Sequence, residues 1–232
     1  DIIAEFMGGE EPAFTYLSEA LKKGKTVVTA NKEVIAKHWD VLEQEAAETG
    51  AGLYFEASVA GGIPIIKTIK RSLQANHILK FMGIINGTTN YILTRMSEEG
   101  LDFQTALKEA QRLGYAEPDP TADIEGLDAK FKLSILSTIC FRDKVPLEHV
   151  FCEGITKVTS EDIEYARQLG YGIKLLAIAK KNGNRIEARV HPTFIPLTHP
   201  LCAVRESYNA IFLEGDVVGN LMFYGRGAGD MP

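Results

Sequence analysis

The chain is poor in the features that mark several large protein classes. Its three cysteines, Cys140, Cys152 and Cys202, are far apart in 232 residues and lack C-x-x-C spacing. That excludes a disulfide framework or a cysteine-rich zinc cage and suits reduced thiols in a cytoplasmic protein. No apolar run is long enough to span a bilayer, and no signal-peptide pattern opens the chain. Neither sign of charge forms a long run and the net charge is −6, which argues against a nucleic-acid partner or a basic membrane-surface helix. No G-x-S-x-G or Cys–His arrangement supports a covalent nucleophile. The five histidines include His191 and His199, whose spacing suits neither a zinc helix nor a finger. The chain lacks an initiator Met and stops on Pro232, a residue suited to opening a helix, so it is expected to be a piece of a longer protein.

What is present is a globular composition, 45% hydrophobic and 24% charged. Strand-like runs at 1–7, 25–30 and 51–59 alternate with helical spacing at 11–24, 32–50 and 63–74. Such alternation predicts βαβ units and a parallel, doubly wound sheet. A strand at 77–86 follows, then helices near 88–98 and 102–113, one reaching about 141, and one at 160–169. β-rich runs around "NGN" and "EGD" then predict two hairpins. The expected fold is α/β: a partial Rossmann-like nucleotide-binding domain plus an α+β catalytic and dimerisation domain with a mixed sheet. The boundaries are residues 1–60, 61–206, and a return segment 207–232 toward the cofactor domain and dimer region.

Chemistry-bearing residues crowd the stretch "GYAEPDPTADIEGLDAKFK" (114–132). Asp123 reads as an N-cap, and Asp128 and Lys132 are i and i+4 on one helix face. From pattern alone, that pair is an ordinary surface ion pair. Its company raises a functional reading: Glu117 and Asp119 sit in a proline-stiffened segment able to hold carboxylates toward an amine. The residues after Lys132 are apolar, so the helix should enter the core with Lys132 at the edge of a cleft. Lys130, two residues earlier, points elsewhere.

Lys32 ends a strand and opens a helix, the position where open α/β sheets gather ligands, although a solvated first-turn lysine fits the same pattern. "FEASVAGGIP" (55–64) reads as a strand-to-helix turn, or as a loop offering oxygens to a hard cation, with Glu56 beside it. In "GTTNYI", Thr88 or Thr89 is suited to cap a helix. "GRGAG" (225–229) is a weak phosphate-cradle signal with no visible helix after it.

Together "TANKEVIA", "FEASVAGGIPIIKT", "INGTTNYIL", "GYAEPDPTADIEGLDAKFKLSIL" and "YGRGAG" resemble the homoserine dehydrogenases, in that family's order and over nearly the whole chain. The resemblance implies NAD(P)-dependent interconversion of L-aspartate 4-semialdehyde and L-homoserine, with NADP or NAD as cofactor, a small amino-acid substrate and a homodimer. It implies that Lys132 is the catalytic lysine and that Asp128 helps hold substrate. Glu117 matches the residue that binds the homoserine amine, and Asp123 lies in the same acidic pocket. Lys32 matches a lysine between cofactor and substrate, and Gly114 and Gly229 match glycines close to the dinucleotide. Glu56, with the carbonyls of Val59, Gly61 and Ile63, matches a monovalent cation site, usually sodium. Against the family pattern, the chain lacks the first strand, the Gly-rich turn and the next helices of a cofactor domain. The competing expectation is therefore a folded substrate and dimerisation unit without turnover. A runner-up is another amino-acid dehydrogenase of similar architecture.

Overall fold

The computed structural model describes residues 1–227. Three short strands, β1 (Ile2–Glu5), β2 (Thr26–Thr29) and β3 (Leu53–Tyr54), form a parallel sheet in sequence order. Helix α1 (Ala13–Lys22) joins β1 to β2, α2 (Lys32–Thr49) joins β2 to β3, and the two helices pack on each other. Gly50 ends α2 in the left-handed region, as its place after the last periodic residue predicts. At the carboxyl edge of this sheet the backbone is held by side chains. Buried Glu5 accepts hydrogen bonds from the Thr29 hydroxyl (2.6 Å) and the Met7 amide (2.7 Å). Asn31 caps α2 through Val34 N–H and donates to Gly9 O at 2.7 Å. These bonds fix where Lys32, the first residue of α2, begins.

Two expectations change at the exit of this unit. The strand expected over 51–59 is only two residues long, because Glu56–Ser58 turn into a 3₁₀ helix. The Ser58 hydroxyl donates to Phe55 O, and Glu56 accepts from the amides of Ile66 and Lys67, both at 2.8 Å. Side-chain partners thus replace sheet bonds. The next helix begins at Ile65 as α3 (Ile65–Lys67) and widens into a π turn over Thr68–Ser72.

The second sheet has six strands in the order β5-β7-β6-β4-β8-β9. These are β4 (Ile78–Ile84), β5 (Phe151–Cys152), β6 (Tyr171–Asn182), β7 (Arg185–Pro196), β8 (Tyr208–Gly215) and β9 (Gly219–Arg226). Both expected hairpins form, and β4 lies between them. β5, too short to read from the sequence, pairs parallel to β7 and makes the sheet mixed.

Helices α4 (Gly87–Glu99), α5 (Phe103–Arg112), α6 (Thr121–Ile124), α7 (Leu127–Phe141) and α8 (Ser160–Gln168) complete the fold. α4, α7 and α8 pack against the second sheet. α7 is apolar nearly all round and runs through the core, with Leu133, Ile135 and Leu136 almost fully buried. It also packs on α2, so one continuous core spans both sheets. A smaller core on the other side of the second sheet includes Ile84, Leu176 and Ile178 under a 3₁₀ turn at Pro200–Ala203, while Met222 and Tyr224 stand exposed on β9.

The single helix expected through 123–141 is two helices, with Gly126 at φ +80° between them. Asp123 lies inside the short α6 and does not cap α7. This break packs against Gly154, where a methyl group would overlap the backbone of Ile124 and Glu125, and Ile155 N–H donates to Ile124 O at 2.8 Å. Gly154→Ala should therefore lower stability by about 2 kcal/mol through overpacking. The check is a melting temperature lower by several degrees, as expected for a chain of this size.

Candidate active site

A cleft of about 530 Å³ opens where the carboxyl edge of the first sheet meets the amino ends of α4 and α7. Its floor is built around Asp128, in the first turn of α7 and only 4% exposed. One Asp128 oxygen forms an ion pair with the Lys32 ammonium at 2.8 Å. The other accepts from the Lys132 ammonium at 2.7 Å and from the Asn86 amide at 2.8 Å. Lys132 also donates to Ile85 O at 2.9 Å. An ammonium has three donors, so one remains for the cleft that Lys132 lines.

Asn86 orders the acidic side. Its carbonyl oxygen caps α4 through Thr89 N–H at 2.9 Å, which fixes the orientation of its amide. The amide nitrogen then donates to Asp128 and, at 2.6 Å, to Asp123. The other Asp123 oxygen lies 2.9 Å from the Thr88 hydroxyl, whose single proton is also within reach of Tyr115 O at 2.7 Å. Capping by Asn86 replaces the expected cap at Thr88 or Thr89. The reason is positional: Asn86 has extended backbone one residue before the helix, whereas both threonines are already helical.

Burial opposes ionisation of Asp128, but Lys132 and Lys32 beside it, with the Asn86 bond, hold its carboxyl well below the usual carboxylate range. Burial also disfavours the charge on Lys32, yet Asp128, and beyond it Asp123 and Glu117, raise its pKa above the ordinary lysine value. The Lys32 side chain is 41% exposed, so water screens its pairing more than that of Lys132, which is 14% exposed. Lys32, Lys132, Asp123, Asp128 and Glu117 all line the cleft. Two ammonium groups thus face three carboxylates, an excess of one negative charge.

Other expected residues sort by place. Gly114 ends α5 at φ +79° and lines the cleft, with open space where a side chain would stand. Gly61 also lines it, at φ +54°, and a Cβ there would come within 2.5 Å of Gly227 O. Glu56 lies on the same turn as Val59, Gly61 and Ile63, with each carboxylate oxygen already accepting one amide. Gly229 lies outside the described residues. Lys130 is not among the residues that line the cleft. Sequence reasoning missed Asn86 and Ser207, both of which line the cleft. The only advance signal for Asn86 was an Asn directly before a helix-start pattern.

Residues 64–232 match the sequence model of homoserine dehydrogenase, and residues 1–56 match that of the homoserine dehydrogenase NAD binding domain. The chain belongs to the homoserine dehydrogenase family. Homoserine dehydrogenases of Bacillus subtilis and Helicobacter pylori are each 50% identical over all of this chain, which covers 54% and 55% of them. The chain thus spans about half the length of the curated relatives it matches. The crystal structure of a homoserine dehydrogenase from Thiobacillus denitrificans superposes with a TM-score of 0.98 at 50% identity; all of this chain and 54% of that one are covered. A hyperthermophilic archaeal homoserine dehydrogenase in complex with NADPH superposes at 0.85 with 31% identity, covering 98% of this chain and 66% of that one.

The Asp128 cluster gives a pH-dependent contribution to stability. Its folded-state pKa is depressed, so the contribution is full above the unfolded carboxylate value of about 3.9 and is lost as pH falls below it. Asp128→Asn should cost about 3 kcal/mol at pH 7 by leaving buried ammonium charge uncompensated. Urea unfolding of both forms checks this, and the gap between them should narrow below about pH 4.

Proposed function

We propose that this chain carries the substrate side of a homoserine dehydrogenase reaction, the NAD(P)-dependent interconversion of L-aspartate 4-semialdehyde and L-homoserine. The observation that carries the reading is the Asp128 carboxylate bridging Lys32 and Lys132 at 2.8 and 2.7 Å on the floor of an acidic cleft. The residues fit the redox end of a dinucleotide: Gly114 offers open backbone at the cleft, beside the ammonium groups. No strand, Gly-rich turn and helix suited to a pyrophosphate lie together among the described residues. When bound, NAD(P)H supplies the hydride that reduces the aldehyde.

The chain's own residues do the rest. Glu117 and Asp123 face the substrate amine and neutralise it. Asp128, itself anchored, aims Lys132 and helps hold the substrate. The free donor of Lys132 stabilises the nascent alkoxide and delivers its proton. In the reverse direction the same amine, or a water it orients, accepts the alcohol proton. Lys32 stands between cofactor and substrate, and Gly114 admits the dinucleotide backbone; Gly229, matched to the same role by family pattern, lies outside the described residues. Each Glu56 oxygen accepts one amide and retains acceptor capacity, and by family pattern a monovalent cation, sodium, is assigned to Glu56 with the carbonyls of Val59, Gly61 and Ile63.

We assign a homodimer contact to the side of the second sheet that carries Met222 and Tyr224, 37% and 56% exposed. That side lies beyond the face packed by α4, α7 and α8. We place the protein in the cytoplasm; no helix among the described residues is long and apolar enough to cross a membrane. The domain division proposed is residues 1–60, 61–206 and 207–232. A second reading is a folded substrate and dimerisation unit without turnover.

Lys132→Ala should lower kcat by about 10²-fold or more, measured as NADPH oxidation with the semialdehyde. Near-normal turnover would refute the assignment. If the unaltered chain neither binds NADPH saturably nor turns over, the second reading holds. Met222→Glu with Tyr224→Glu should shift the sedimentation coefficient from dimer to monomer.

A further inference from the structure

The second sheet has a gap. β4 pairs with β6 only from Lys180 to Ala177, because β4 ends at Ile84, while β6 runs on to Tyr171. The amino end of α4 and the loop 204–208 meet β6 there, and Lys174 fills the junction at 6% exposure. Its ammonium donates to Val204 O at 2.5 Å and to Asn90 Oδ1 at 2.9 Å. The Asn90 amide in turn donates to Glu206 O at 2.8 Å and Tyr208 O at 3.2 Å. Lys174 has no carboxylate within ion-pair distance among the described residues.

Such an arrangement is a poor way to gain stability. A buried ammonium that meets only neutral acceptors costs more than an apolar side chain of the same volume. Burial accordingly pushes the Lys174 pKa down to about 8. What the group does achieve is to hold a strained loop. Glu206 sits at φ +53°, an unfavourable conformation for a residue with a Cβ, and its carbonyl is held by Asn90. The next residue, Ser207, lines the catalytic cleft, and its carbonyl lies so close to Gly87 that a Cβ there would approach within 2.8 Å. Gly87 follows Asn86, the residue whose amide holds both Asp123 and Asp128.

We propose that Lys174 is a positioning residue: with Asn90 it clamps loop 204–208 against α4, so that Ser207 forms a fixed wall of the substrate cleft beside Asn86. Lys174 touches no reacting group; it acts through the loop. The inference rests on the reading that this cleft takes the amino-acid substrate, and its test has an arm independent of turnover.

That arm is hydrogen–deuterium exchange of the whole chain. Lys174→Met should speed exchange of the hydrogen-bonded amides of Val204 and Tyr208, which donate to Leu201 O and Arg205 O, by about tenfold or more, as expected when local opening becomes easier, and leave 127–141 unchanged. Asn90→Ala should do the same, and the double variant should add little, because both changes release one unit. In kinetics, Lys174→Met should raise KM for the amino-acid substrate about tenfold, with kcat within about threefold. Exchange at Val204 and Tyr208 equal to the unaltered chain would overturn the clamp. Faster exchange with unchanged KM would overturn its role in the cleft. If Lys174→Met does not fold, Asn90→Ala carries both readouts. Should the unaltered chain show no turnover, the proposed function fails while exchange still decides the clamp.

Discussion

Asp128 is the constraint on which the site depends. A carboxylate 4% exposed is tolerated only because three donors converge on it, two of them ammonium groups. Remove that anion and the two lysines repel each other across the cleft floor; keep it, and each is held within hydrogen-bond distance of a fixed point. Lys32 begins a helix of the first sheet's unit, Lys132 lies on the helix through the core, and Asn86 begins a helix beside the second sheet. One side chain therefore ties together three elements that no backbone hydrogen-bond ladder connects.

The rest of the architecture keeps those elements in register. α7 packs on α2 and on the second sheet, so the carboxylate and its partners belong to one continuous core. The α6–α7 break at Gly126 turns Asp123 back toward Asn86, and it is set by close backbone packing against Gly154. Small residues matter at such points because main chain approaches main chain, as it also does at Gly87 with Ser207 and at Gly61 with Gly227. Rigidity at the cleft walls comes from sterics, and charge geometry at its floor comes from hydrogen bonds.

Much of this was legible in the sequence, for identifiable reasons. The helical periods of α1, α2 and α5, the glycine stop after α2 and both hairpins are local signals, and they survive in the fold. The Asp128–Lys132 pair follows from helical spacing alone, since i and i+4 share a face. What pattern could not supply was its burial, because an i,i+4 pair reads the same on a surface. The third partner was equally invisible: Lys32 is 96 residues away from Asp128 and meets it only through the packing of α2 on α7. The misassigned caps have a common cause. Asp123 and Thr88 are good capping types, but the site gives them other bonds, and Asn86 and Gly126 occupy the helix boundaries.

The distribution of charge narrows the chemistry further. If the two lysines served only to bind an anionic group, a carboxylate wedged between them would be counterproductive, since it cancels the attraction. A neutralising anion is useful when an ammonium must be aimed at an oxygen that becomes negative only during reaction. The excess of negative charge in the same cleft then suits a ligand that brings its own cation, as an amino acid does. A carbonyl compound with an amino group satisfies both demands, whereas an anionic substrate without an amine meets repulsion from Glu117 and Asp123. On the function proposed for the cleft, the electrostatics of the floor and of the wall suit the same ligand class by separate routes.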